Sequence, residues 1–101
     1  MRRPNTLDPK KYRDNPTMIS EHLNQSLATD DLSAVLAALA TVVKAQNVLA
    51  LSEDAALRRE TLYKALWKNA DPKLGTILKI FSSLGVRLAV EPRSQTLLRK
   101  D

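Results

Sequence analysis

Apolar residues return at three- and four-residue spacings along most of this chain, and each such stretch opens on a residue suited to start a helix. Asn15-Pro16 pairs an N-cap with a proline at the first helical position, ahead of a stripe of Met18, Ile19, Leu23 and Leu27. Thr29-Asp30-Asp31 offers acidic caps that suit the positive end of the helix dipole. Behind them Leu32, Val35, Leu36, Leu39, Val42 and Val43 keep the helical period without a break, so this helix is the expected spine of the core. Burying each such side chain stabilises the fold by roughly 1.5–3 kcal/mol. A later start is predicted at Asp71, with Pro72 first in the helix. Leu74, Ile77, Leu78, Phe81 and Leu84 follow in helical spacing, and Gly85 is the expected stop.

Between these lies a pair of short helices over about residues 47–68, joined by a tight corner at Ala55–Arg58. Val48, Leu51, Ser52 and Ala55 fall on one side of the first. In the second, Leu62, Ala65 and Leu66 point inward while Arg59, Glu60, Tyr63 and Lys64 remain outside. The small residues Ser52 and Ala55 allow two backbones to approach where the helices cross. Such a pair has the pattern of a helix-turn-helix, whose second helix lies in the DNA major groove. It is equally the pattern of an ordinary helical hairpin.

Near the C-terminus the period falls to two. Val86, Leu88 and Val90 alternate with Arg87 and Ala89, predicting a short strand over 86–90 that Pro92 ends. A lone strand needs a partner for its backbone groups, either the N-terminal arm or the same strand of a second subunit across a two-fold axis. The expected architecture is thus an all-α domain of about five helices with one short C-terminal β-strand. Residues 1–14 form an arm, 15–91 the body and 92–101 a polar tail. The basic arm, with Pro4, Pro9 and no sustained period, is a solvated tail, packs through Leu7 and Tyr12, or tracks DNA phosphates through Arg2, Arg3, Lys10, Lys11 and Arg13.

Composition narrows the function. One hundred and one residues make one domain, and 44% hydrophobic content with two glycines excludes a disordered or fibrous chain. Without cysteine there is no disulfide framework, thiolate metal site or thiol nucleophile. His22 stands alone in sequence and reads as a surface or rim residue. No Gly-rich phosphate loop or metal-spaced cluster is present, so no enzyme, cofactor or metal is expected. The chain carries neither a membrane-length apolar run nor the apolar region of a signal peptide, which predicts a cytoplasmic protein with no membrane partner.

Charge is distributed unevenly: residues 1–14 balance at +3, 15–57 at −4 and 58–101 at +6, within a net +5. Positive charge begins at the corner of the helix pair and continues to the C-terminus, as suits a polyanion-binding surface. On the DNA reading, Arg59 and Lys64 are candidates for base edges or phosphates, since arginine can grip guanine at O6 and N7. Glu60 either accepts from cytosine N4 or offsets the helix dipole. Thr61 and Tyr63 can donate to phosphates or touch a thymine methyl, while Arg58 and Lys68 bracket the helix on the backbone. Any exposed polar helix face would carry similar side chains. Trp67, four residues after Tyr63, reads as core or rim packing.

The order of these features resembles that of the HigA-like antidote proteins of bacterial toxin–antitoxin addiction modules, a branch of the lambda-repressor-like helix-turn-helix proteins. The matching segments are LDPKKY, EHLNQSL, VVKAQN, RETLYKAL, DPKLGTILKI and SLGVRLAV, covering about residues 7–90. Two positions depart from the family pattern. Ala56 stands where glycine is usual at the corner, and Arg58 where serine or threonine caps the recognition helix.

The resemblance implies a lambda-repressor-like fold and a DNA-binding antitoxin, usually dimeric, acting on the bacterial nucleoid. It also implies neutralisation of a cognate RelE-type ribonuclease toxin and repression of the shared promoter at a palindromic operator. The two departures favour an alternative, a non-catalytic toxin-binding or adaptor module that has lost DNA binding.

Overall fold

A computed structural model describes residues 12–67 and 69–93. The helices among them are α1 (Pro16–Leu27), α2 (Leu32–Lys44), α3 (Val48–Ala55), α4 (Arg59–Ala65) and α5 (Leu74–Ser83). Helix α2 is the spine, as its unbroken apolar period requires. Leu39, Val42 and Val43 are wholly buried, and around them close Ile19 and Leu23 of α1, Leu51 of α3, Leu62 of α4 and Ile80 and Phe81 of α5. Helix α1 packs on α2, and α3 packs on both α4 and α5. Between α2 and α3 the chain turns through 114°, and no single helix among the described residues is long and apolar enough to cross a membrane.

The start signals act as expected in three places. Asn15 Oδ1 accepts from the Met18 amide at 3.2 Å with Pro16 opening α1, Asp31 accepts from Ser33, and Asn47 accepts from Ala50. Tyr12 is buried, its hydroxyl 3.3 Å from His22 Nδ1, which leaves His22 half-buried at the rim. Gln46 holds this region to α2. Its Nε2 donates to the carbonyls of Tyr12 and Val42 at 2.8 and 2.9 Å, and its Oε1 accepts from the Asp14 amide. Leu7, the arm's other anchor candidate, lies outside the described residues.

Three expectations are corrected. Helix α5 begins at Leu74 rather than Pro72, with Lys73 as an N-cap that makes no side-chain bond. Proline's fixed φ suits an extended run as well as a first helical turn, and the residue before it is steered away from helix. Asp71-Pro72-Lys73 therefore stays outside the helix. Helix α4 stops at Ala65 instead of continuing to about residue 68, because Leu66 and Trp67 donate three residues back, to Tyr63 and Lys64. That tightened turn runs on to Asn69 at φ 67°.

The third correction concerns residues 86–90, which form no strand, and none occurs among the described residues. The period-two pattern is nevertheless real. Val86 and Leu88 pack against the core while Arg87 and Ala89 are exposed. What is missing among the described residues is a neighbour, since a strand is defined by its ladder bonds.

Two helices end in the same motif with different residues. At α5 the Gly85 amide bonds the Ser82 carbonyl and the Val86 amide bonds Phe81, with Gly85 at φ 83°. At α3 the Ala56 amide bonds Glu53 and the Leu57 amide bonds Ser52, with Ala56 at φ 59° and ψ 40°. Both are Schellman closures, each followed by a half-buried apolar residue. Glycine occupies the left-handed position freely, whereas alanine bears a penalty of about 1–2 kcal/mol there.

Ala56→Gly should accordingly raise the urea midpoint, stabilising the protein by about 1 kcal/mol. Gly85→Ala should lower it by at least as much, because its new Cβ would also sit 3.3 Å from Pro16 Cγ. Equal effects of the same sign would contradict the two geometries.

Candidate nucleic-acid interface

The corner at Ala56 and Leu57 determines where α4 points. Leaving the left-handed Ala56, the chain buries Leu57 partly against the core, passes through extended Arg58 (φ −72°, ψ 151°) and enters α4. Leu62 and Ala65 then anchor the helix, Leu62 with no exposed surface. At about 100° per residue the face opposite these two carries Glu60, Tyr63 and Lys64, flanked by Arg59 and Thr61. Arg58, Arg59, Glu60, Thr61, Tyr63 and Lys64 are all exposed. The structure thus gathers these six candidates on one short helix and its cap. The seventh, Lys68, lies outside the described residues.

Over its seven residues α4 is about 10 Å long, and a helix about 10–12 Å across fits a major groove about 12 Å wide. Its outward face is chemically mixed. Arginine and lysine supply donors without acceptor capacity, Thr61 and Tyr63 can do either, and Glu60 adds one acceptor-only group in the first turn. No side chain caps α4, in keeping with Arg58 at the N-cap. Helix α3 has no basic residue and shows Glu53 and Asp54 to solvent. Within the helix pair the positive charge therefore lies on α4 and its cap.

A groove beside α4 is lined by Thr61, Lys64 and Trp67 on one wall and by Asp71, Pro72 and Lys73 on the other. Lys73, outside the expected set, is exposed and adds a second cation to the groove that Lys64 lines. Its sequence signal, a lysine preceding a helix, is too common to single it out. Trp67 departs from the core or rim packing expected of it, with 61% of its surface exposed. It was placed by continuing α4 to the residue four after Tyr63, and the helix ends two residues too early for that. Trp67 instead stands between the groove of Lys64 and a second one bordered by Ser33, Leu36 and Ala37 of α2.

The geometry is that of an all-α domain presenting one exposed, cation-bearing helix from a tight corner. Residues 4–92 match the family described as "Probable addiction module antidote protein", and the chain belongs to that family. It is also similar to a Haemophilus influenzae protein described as uncharacterized. The two are 33% identical over 73 residues, which span 72% of this chain and 75% of that one. No solved structure matches the chain.

As the chain's one tryptophan, Trp67 should emit like indole in water and be quenched by acrylamide nearly as well as in urea-unfolded protein. A blue-shifted, shielded emission in the folded free protein would contradict its exposure.

Proposed function

We propose that this antidote is a DNA-binding repressor, lambda-repressor-like in its helix pair, that acts as a homodimer in the bacterial cytoplasm. On this reading it neutralises a RelE-type ribonuclease toxin and represses the promoter it shares with that toxin. The observation that carries the DNA role is the exposed face of α4, where Arg58, Arg59, Thr61, Tyr63 and Lys64 stand opposite a fully buried Leu62. The toxin-neutralising role rests on membership of the antidote family and on the resemblance to HigA-like proteins. Such a protein works by binding, and the reading assigns catalysis to none of its residues.

Within that role Arg59 reads a base edge, Lys64 and Arg58 hold phosphates, and Thr61 and Tyr63 add hydrogen bonds to the backbone. Glu60, in the first turn, selects cytosine through N4 or offsets the positive end of the helix dipole. A second reading, a toxin-binding protein that no longer holds DNA, is favoured by the uncapped start of α4 and by the left-handed Ala56. Both features loosen the placement of the helix without removing its charges.

Titration of operator and scrambled duplexes at several salt concentrations separates the roles. Arg59→Ala should weaken operator binding by about 1–3 kcal/mol and leave scrambled duplex nearly unaffected. Lys64→Ala should weaken both alike and lower the salt slope by about 1. Indifference of both duplexes to both changes would rule out α4 as the DNA-contacting helix.

A further inference from the structure

Residues 86–91 run free of helix, turn and bend beside α1, in a groove with Leu23, Leu27 and Phe81. The segment is tethered at both ends. The Val86 amide donates to the Phe81 carbonyl at 3.0 Å, and Arg93 pairs with Asp30 at 3.0 Å. Between those tethers the backbone of residues 87–91 makes no hydrogen bond among the described residues. Val90, the last apolar residue of the alternation, is 100% exposed. A segment whose amides and carbonyls have no partner among the described residues, and whose valine is uncovered, is a template for another strand.

We infer that the occupant is the same segment of a second copy, paired antiparallel about a two-fold axis through Ala89, which places Arg87 opposite Glu91 of the second copy. This rests on the homodimer proposed above and names its interface. Side-chain direction restricts the register. Val86 and Leu88 pack on the core, and the alternation puts the exposed Val90 on their side of the segment, so only registers that set even residues opposite even ones keep the faces matched. Centring on Ala89 pairs Leu88 with the second copy's Val90, covering the exposed valine, and sets Arg87 against Glu91 twice by symmetry. Neither of these two charges has an ion-pair partner among the described residues. Shifting the centre to Leu88 leaves Arg87 opposite Ala89. Shifting it to Val90 sets Arg87 opposite Arg93, and like charges directly across a pair are unfavourable.

The chain lacks cysteine, so a single introduced thiol reports the register directly. Ala89→Cys meets its own copy across the strands at about 4.5–5.5 Å between Cα atoms, within disulfide reach. Arg87→Cys is displaced four residues from its copy, about 13 Å along the strand, and is out of reach. Under mild oxidation Ala89→Cys should form a covalent dimer readily, while Arg87→Cys and the exposed control Gln25→Cys should not. Sedimentation should show Arg87→Glu raising the dimer dissociation constant about tenfold, and Arg87→Glu with Glu91→Arg restoring it.

A wild-type protein that sediments as a monomer at micromolar concentration would overturn the dimer itself. A stable dimer in which Ala89→Cys links no faster than Gln25→Cys, or in which the charge swap gives no rescue, would overturn this interface and leave the dimer standing. DNA binding by α4 is decided separately by the duplex titrations.

Discussion

The direction of α4 depends on one backbone conformation, the left-handed turn at Ala56. It closes α3 with two hydrogen bonds, sends Leu57 into the core and releases α4 with its polar face outward. Alanine is a poor residue for that position, and Arg58 provides no cap for the helix that follows. Each defect costs about 1 kcal/mol. Full burial of Leu62 contributes roughly 1.5–3 kcal/mol, and Leu51 on α3 adds a similar amount, so the tertiary contacts outweigh the local strain. The helix pair is thus imposed by packing, and the cationic face is what packing leaves outside.

That origin explains which parts of the fold were legible in the sequence. Asn15 with Pro16, Asp31, and the uninterrupted stripe from Leu32 to Val43 are local signals that nothing elsewhere contradicts, and they placed α1 and α2 correctly. The inward set of the helix pair, Leu51, Ser52, Ala55, Leu62 and Ala65, was legible for the same reason, since helical spacing alone determines which residues share a face. Gly85 as the stop of α5 follows from glycine's ease at φ 83°.

Features that needed tertiary information were not legible. Proline at residue 72 fits both an extended run and a first helical turn, and residue type alone does not choose between them. The end of α4 at Ala65 comes from a turn closed by bonds to Tyr63 and Lys64, which no residue type announces, and Trp67 is carried outward with it. The alternation marked Val86 and Leu88 as inward-turning, whereas Val90, on the same pattern, is fully exposed. It could not by itself make a strand, because a ladder needs a neighbouring segment, and none lies beside it among the described residues. On the site, the exposed face was legible from α4 alone, whereas Lys73 joins it only through the turn that brings the start of α5 alongside Lys64.

The account stands or falls on whether α4 reads DNA. The most direct measurement is selection from a random duplex pool by the purified full chain, followed by titration of the enriched sequence at low and moderate salt. The account predicts enrichment of a palindrome whose half-sites lie about one helical turn apart, bound with strong salt dependence. No enriched sequence, with no duplex binding even at low salt, would contradict it and leave an antidote that acts on its toxin alone.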